Sequence, residues 1–174
     1  LYRYEKYFKE QIFVQNDWNG GIYATPTIMG SKAGNNIVLT WATLNYYGYN
    51  GYKERAEKII DTTKIIHERL KQISDIYVLG KPKVNVIGIG SKELNIYQIN
   101  QFMIKKGWNL NELQLPSSIH ICVTLNHCSE HIIDKFIEDL ISSIDSTKSS
   151  NLSSEECASV YGSTQKIPDR SLIK

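Results

Sequence analysis

The spacing of apolar residues in the first half of the chain predicts two consecutive helices. One helix begins near Asn35, has Ser31 as its N-cap and runs through "NIVLTWATLNYY" until Gly48 ends it. The next helix follows Asn50, and its apolar positions form one stripe opposite a face of lysines and glutamates. Because such a helix gains most of its stability from burying that stripe, it must pack on a sheet or on another helix.

The second half of the chain predicts short strands and two further helices. "IYVLG", "VNVIGIGS" and "SIHICVTL" have the composition of strands. The helix in "LNIYQINQFMIKKG" ends at Gly107, and Ser129 caps the last helix. Two or three strands with helices on one face make a small α+β domain over residues 74–145. Its predicted core consists of Ile119, Ile121, Val123, Ile133, Phe136, Ile137 and Leu140.

Composition and charge argue against several classes of protein. The 174 residues suffice for one domain with a sizeable core, and the sequence becomes linker-like from residue 146. A net charge of +2 is too balanced for a nucleic-acid surface, so no nucleic-acid partner is predicted. Three cysteines without a signal-peptide pattern argue against a disulfide framework, and no apolar run is long enough to cross a bilayer. We therefore expect a soluble chain in a reducing compartment.

Five potential zinc ligands lie within twelve residues: His120, Cys122, His127, Cys128 and His131. The alternation of the strand places the first two on one strand face, the second cysteine precedes a helix cap, and there is no C-x-x-C pair. Strand and cap positions therefore explain these residues better than metal binding does. We predict no metal site.

The segment "DWNGGIYATPTIMGSKAG", at residues 17–34, shows neither helical nor strand periodicity. It combines glycines, aromatic rings and hydroxyl groups with almost no charge, whereas surface connections are usually more polar. Loops that shape binding sites on a rigid scaffold often have this composition. The segment is therefore the strongest candidate for a functional loop.

Several specific motifs resemble the sphingosine-1-phosphate lyase family, which are pyridoxal-phosphate (PLP) enzymes related to the group II decarboxylases. These motifs are "FVQNDWNGGIYATPTIMGSKAG", "KGWNLNELQLPSSIHICVTLNH" and, in the tail, "SVYGSTQKIPDR". The resemblance implies an α/β chain that forms the C-terminal part of an aspartate-aminotransferase-type PLP fold. It implies that residues 1–34 are the end of the large PLP domain with the active-site loop and that residues 35–73 are connecting helices. Residues 74–145 would be a small C-terminal α+β domain, and residues 146–174 a linker with a tail.

The same resemblance assigns roles to residues of the loop. Tyr23 would be a catalytic phenol that donates or accepts a proton. Gly20, Gly21 and Ser31 would bind the cofactor, and Lys32 would bind the substrate phosphate. The family usually has Ser-Arg-Pro-Gly where this chain has Ser-Lys-Ala-Gly. Lysine keeps the charge of arginine but lacks the planar fork that grips phosphate with two hydrogen bonds.

The reaction implied by the resemblance is the retro-aldol cleavage of phosphorylated sphingoid bases to a long-chain aldehyde and phosphoethanolamine. It also implies a homodimer and, in eukaryotic members, an N-terminal anchor in the endoplasmic-reticulum membrane. In the family, the lysine that binds the cofactor lies before the position of Leu1, so we expect no activity from this chain alone. Two alternatives remain: a PLP-dependent amino-acid decarboxylase, and a non-catalytic truncated homologue that acts as an interaction module.

Overall fold

The structure of the protein is a computed structural model that describes residues 2–26 and 30–150. Within these ranges the chain forms four α-helices and six β-strands. Three residues of the glycine-rich loop, at positions 27–29, lie outside the described residues, and so does the tail motif at 159–170.

The N-terminal residues form a short helix and a two-stranded hairpin. Helix α1 (Glu5–Gln11) precedes strand β1 (Phe13–Gln15), which pairs antiparallel with β2 (Tyr23–Thr25). The expectation that the loop from residue 17 contains no strand was wrong for β2. A run of three residues is too short to show strand alternation, so only the pairing with β1 defines it.

A long helix, α2 (Gly34–Leu70), follows the hairpin. Gly48 interrupts it with φ of 58° and ψ of −176°, so the predicted end of the first helix is confirmed as a break within α2. The predicted N-cap was wrong, because Ala33 occupies that position and Ser31 lies outside the helix. Apolar periodicity begins only at Ile37, so the pattern contained no information on the first turn.

The two parts of α2 differ in burial. After the break, Thr63, Ile66 and Leu70 are buried, as the predicted amphipathic stripe requires. Before the break, Ile37 is 70% exposed and Trp41 is 66% exposed. Ile37, Trp41 and Leu44 recur at helical spacing on one side, which we call the apolar face of α2, while Val38 and Leu39 are exposed on other sides of the helix.

The remaining residues are organised around a four-stranded antiparallel sheet. Its strands are β3 (Tyr77–Leu79), β4 (Val86–Gly90), β5 (Asn111–Leu113) and β6 (Ser118–Cys122), in the spatial order β3-β4-β6-β5. The expectation of two or three strands missed β5. This strand contains Asn and Glu, which are depleted in strands, and its pairing with β6 holds it in the sheet.

Helices α3 (Ile96–Lys105) and α4 (Glu130–Ser149) pack on one another, α3 also contacts β6, and both helices share one core with the sheet. The predicted helix signals are confirmed: Gly107 has φ of 91°, and Ser129 Oγ accepts a hydrogen bond from Ile132 N at 3.4 Å. Helix α4 continues beyond residue 145. The predicted core is also confirmed. Ile137 is half-buried, and the other six members are buried: Ile119, Ile121, Val123, Ile133, Phe136 and Leu140.

Strand alternation turns the second face of the sheet toward the hairpin. The isoleucines of β4 and β6 are buried in the core, so Gly88 and His120, which are register partners, point to the opposite face. The loop between β1 and β2 lies over this face, because Trp18, Asn19 and Gly20 line a common cavity with these two residues. The fold thereby brings the candidate functional loop against the sheet domain (residues 74–150).

Candidate functional site

The loop between β1 and β2 is organised around the carbonyl oxygen of Trp18. The backbone N–H of Gly21 donates to this oxygen at 3.0 Å and closes a turn. Gly21 has φ of 115°, which residues with a side chain rarely adopt. Gly20 lies against the Trp18 indole, so close that an added Cβ would be 2.5 Å from ring atom Cη2. The shape of the turn therefore requires glycine at position 21, whereas a side chain at position 20 would have to displace the Trp18 ring.

Tyr23, the predicted proton-transfer residue, lies between two aromatic rings of the hairpin. Its ring centroid is 6.4 Å from that of Trp18 and 6.1 Å from that of Phe13, with edge-to-face geometry in both pairs. Tyr23 is nevertheless 50% exposed. Edge-to-face contacts restrain the direction of an aromatic ring, so the phenol is both oriented and accessible.

Gln114, directly after β5, ties this loop to the sheet domain. It is fully buried, and its side-chain amide donates to the carbonyls of Trp18 at 2.7 Å and Asn16 at 3.3 Å. Its backbone N–H donates to the carbonyl of Asn19 at 2.8 Å. The side-chain amide of Asn19 donates in turn to the carbonyl of Leu115. We call these four hydrogen bonds the loop clamp.

The sequence analysis did not identify Gln114 as a functional candidate. A signal was present, because Gln114 is a lone amide between Leu113 and Leu115 at the end of a strand. A buried polar side chain in such a position needs hydrogen-bond partners. Its partners lie more than ninety residues earlier in the chain, and nothing in the local pattern points to them.

Ser31 and Lys32 lie just before α2, beyond the segment 27–29, and both are exposed. The N-cap residue Ala33 has no side-chain acceptor for the free N–H groups of the first turn of α2. Free N–H groups at a helix start, together with a hydroxyl and an ammonium group, form a donor set suited to phosphate. The predicted site residues thus fall into two parts of the structure, the hairpin and the start of α2.

A cavity of about 810 Å³ separates the hairpin loop from the open face of the sheet. Trp18 and Gly20 line it on the hairpin side, and Lys81 and Lys83 line it from the turn between β3 and β4. His120 lines it from the sheet, and burial lowers the pKa of its imidazole, which favours the neutral form. The sequence analysis missed this cavity because its walls come from segments far apart in the chain.

The five potential zinc ligands are dispersed within the fold. In the part of the chain that the structure describes, no group of three His, Cys, Asp or Glu side chains lies close enough to hold a metal ion. His127 stacks on Trp108 with ring centroids 6.3 Å apart, and its Nδ1 accepts a hydrogen bond from Thr124 N at 2.9 Å. This imidazole thus has a capping role in a 3-10 turn.

Comparison with known proteins agrees with the sequence resemblance. The chain is 40% identical to sphingosine-1-phosphate lyase 1 of Rattus norvegicus over 174 residues, which cover 99% of this chain and 31% of the relative. A sphingosine-1-phosphate lyase of Burkholderia pseudomallei has a similar structure, with a TM-score of 0.64 and 33% identity over 84% of this chain and 33% of that chain. No family model matches the chain.

A more distant structure also shares the fold. A glutamate decarboxylase of Lactobacillus brevis has a TM-score of 0.61 and 18% identity, and the match covers 83% of this chain and 35% of that chain. This likeness shows the fold alone. The predicted α/β fold class and the predicted resemblance are both confirmed. The chain spans about a third of the length of the curated relatives it matches.

Proposed function

Because this chain is homologous to part of the sphingosine-1-phosphate lyases, we propose that it is a segment of a PLP-dependent lyase of sphingolipid degradation. The complete enzyme would cleave phosphorylated sphingoid bases into a long-chain aldehyde and phosphoethanolamine. The observation that carries this proposal is the identity of 40% over 99% of the chain, a span that includes the hairpin and the start of α2.

The described residues fit the phosphate end of a PLP site. Ser31 and the first N–H groups of α2 would hold the cofactor phosphate, and Lys32 would hold the substrate phosphate. Every lysine among residues 2–26 and 30–150 is exposed, so we propose that the lysine carrying the cofactor belongs to another part of the enzyme. When bound, the cofactor supplies the electron sink for carbon–carbon bond cleavage.

Tyr23 would relay the proton of the substrate hydroxyl, passing its own phenolic proton to a base elsewhere in the complete enzyme as it accepts the new one, or orient the group that takes the proton. Its exposed phenol can reach a ligand, while the edges of Trp18 and Phe13 fix the plane of its ring. A proton-transfer group held in position contributes about 10²- to 10⁴-fold to a rate. Gly20 and Gly21 would let the backbone of the turn approach the cofactor without a side chain in between.

We also propose the division of the chain and its assembly. We assign residues 1–34 to the end of the large PLP domain, 35–73 to connecting helices, 74–145 to a small C-terminal domain and 146–174 to a linker with a tail, with the last turn of α4 extending into this linker as far as Ser149. The side chains of the apolar face of α2 are each more than half exposed, which supports their burial in the complete enzyme, against its other segments or across the interface of the homodimer that we propose. Sedimentation velocity of that protein tests this: we expect a dimer, and a monomer would contradict it.

For the complete enzyme we propose a location on the cytosolic face of the endoplasmic-reticulum membrane. In residues 2–26 and 30–150, no helix is both long enough and apolar enough to cross a bilayer. Membrane fractionation of cells expressing the complete protein tests the proposed location. Recovery with the endoplasmic-reticulum fraction would support it.

The decisive assay offers the complete, PLP-loaded protein a phosphorylated sphingoid base and measures the long-chain aldehyde and phosphoethanolamine released. Parallel reactions with amino acids measure carbon dioxide. Equal amounts of aldehyde and phosphoethanolamine would support the proposal. Carbon dioxide without aldehyde would identify a decarboxylase instead, and the absence of all three products would favour an interaction module.

A further inference from the structure

We propose that Gln114 is a positioning residue that sets the orientation of Tyr23 from the sheet domain, acting through Trp18. This inference rests on the proposed function, in which Tyr23 handles the proton of the substrate hydroxyl. Gln114 itself need not touch the substrate or the cofactor. Its role is to hold the turn that precedes Tyr23 in a single geometry.

Gln114 and Gly21 share one hydrogen-bond acceptor, the carbonyl oxygen of Trp18. This oxygen accepts one hydrogen bond from the Gln114 side-chain amide at 2.7 Å and another from Gly21 N at 3.0 Å. A change in the position of the carbonyl therefore changes the turn at Gly21. Tyr23 begins β2 only two residues later, so the turn determines how its side chain enters the site.

The indole ring of Trp18 makes a second connection to Tyr23. The Trp18 ring packs against Gly20 on one side and meets the Tyr23 ring at 90° with centroids 6.4 Å apart. The backbone of Trp18 therefore affects Tyr23 through the turn, and its indole ring contacts the Tyr23 ring directly. A hydrogen bond from the Gln114 amide that fixes the Trp18 carbonyl restrains both the turn and the indole ring.

Among the described residues, the hairpin has little other burial to hold it. Phe13, Trp18 and Tyr23 are each at least half exposed, with values of 53%, 53% and 50%. The orientation of a thinly packed hairpin depends strongly on hydrogen bonds to a rigid neighbour. Gln114 is such a neighbour, because it is fully buried and follows a strand paired with β6.

The Gln114 side-chain amide holds the loop through its NH₂ group and not through its oxygen. Two carbonyl oxygens surround its Nε2, which fixes the orientation of the group, whereas its buried Oε1 has no hydrogen-bond partner among the described residues. A buried acceptor without a partner is a cost to stability. Replacement of Gln114 by methionine therefore removes the two donated hydrogen bonds without breaking an accepted one.

The test compares two buried glutamines in the complete, PLP-loaded enzyme. Gln114→Met removes part of the loop clamp. Gln98→Met is the matched control, because Gln98 is 7% exposed and donates to Ser150 Oγ at 2.7 Å, in the same domain but away from the hairpin. We measure kcat and KM for a phosphorylated sphingoid base, and hydrogen exchange of the peptide covering residues 16–26.

We expect Gln114→Met to lower kcat about 10- to 100-fold, because misplacement of a catalytic group by about 1 Å has effects of this size. KM should stay within about threefold, since a positioning role concerns the transition state more than substrate binding. The 16–26 peptide should exchange faster, and Gln98→Met should change neither kcat nor this exchange. In a Tyr23→Phe background, Gln114→Met should have no further effect on kcat, because residues that act together are not additive.

Three outcomes would overturn the inference. They are equal losses of kcat in the two methionine variants, unchanged exchange of the 16–26 peptide in Gln114→Met, and additive effects of Gln114→Met and Tyr23→Phe on kcat. If Gln114→Met does not fold, Gln114→Asn withdraws the amide by one methylene group from the Trp18 carbonyl, and an unchanged kcat and exchange in that variant would equally overturn it. If the wild-type enzyme cleaves no phosphorylated sphingoid base, the proposed function fails. The exchange comparison then still decides whether Gln114 holds the loop.

Discussion

The indole ring of Trp18 lies so close to the Cα of Gly20 that an added Cβ would be 2.5 Å from its Cη2 atom. Gly20→Ala should therefore displace this half-exposed ring, and the loss of its contact should weaken the turn at Gly21 by about 1 kcal/mol, the size of a typical net hydrogen bond. We expect hydrogen exchange of the Gly21 amide, which is bonded to the Trp18 carbonyl, to accelerate about fivefold, since 1.4 kcal/mol corresponds to tenfold.

Gly34→Ala is the control for this prediction. An added Cβ at Gly34 meets no atom within 4 Å, and the residue is helical. It should leave exchange at Gly21 unchanged. If Gly20→Ala also leaves it unchanged, the ring does not restrain the turn.

Phe136→Ala should strongly destabilise the sheet domain. Phe136 is 1% exposed and its ring packs edge-on against Trp108 at 5.0 Å. Removing a buried phenylalanine side chain costs about 3–5 kcal/mol in the free energy of unfolding. Ile141→Ala, on the exposed side of the same helix, is the control and should cost much less. A loss below about 1 kcal/mol for Phe136→Ala, measured by urea denaturation, would contradict the packing described here.

Asp139 should contribute stability that depends on pH. Burial raises the pKa of this carboxyl group, but hydrogen bonds from Lys135, Trp108 and Lys106 outweigh burial and hold its pKa at about 2, below the usual 3.8. The carboxylate therefore stabilises the fold above about pH 4, and this contribution disappears as the pH falls toward 2. At neutral pH, Asp139→Asn should cost about 2 kcal/mol, since one pKa unit corresponds to about 1.4 kcal/mol.

Urea denaturation at several pH values checks this prediction. The difference in unfolding free energy between wild type and Asp139→Asn should shrink steadily between about pH 4 and pH 2. Glu138→Gln, which neutralises the exposed neighbouring carboxylate, is the charge-matched control. A difference that stays constant over this pH range would show that the carboxylate is not stabilised by its three partners.

Elements with a long sequence pattern were predicted correctly from the sequence, and elements with a short one were missed. Helix α4 and its core residues Ile133, Phe136 and Leu140 were predictable because apolar periodicity persisted over several turns. Strands β2 and β5 were not, because three residues carry no periodicity and each strand is defined by a partner elsewhere in the chain. The helix break at Gly48 was predictable because glycine readily adopts a positive φ.

The candidate site was only partly predictable for the same reason. Tyr23 and the two glycines came from a local motif, and the structure joins them in one turn. Gln114 depends on contacts between segments more than ninety residues apart, and sequence-local reasoning contains no information on such contacts. The roles of Ser31 and Lys32 stay predictions.

Lys32→Gln should weaken the binding of the phosphorylated substrate. Hydrogen bonds to charged groups contribute about 1.5–3 kcal/mol, so KM should rise about tenfold or more in the complete enzyme. Lys32→Arg should keep or lower KM, because the guanidinium group can bind phosphate with two parallel hydrogen bonds. Lys53→Gln, at an exposed position further along α2, is the control. A KM for Lys32→Gln within about twofold of wild type would place the phosphate elsewhere.

The central claim is that the hairpin presents a catalytic phenol, and Tyr23→Phe in the complete enzyme tests it most directly. Phenylalanine keeps the ring contacts with Trp18 and Phe13 and removes only the hydroxyl group. We predict that kcat falls at least about 30-fold while PLP stays bound, and that Tyr46→Phe, at a tyrosine 82% exposed on α2, leaves kcat unchanged. A kcat for Tyr23→Phe within about threefold of wild type would contradict the claim and make Tyr23 a packing residue.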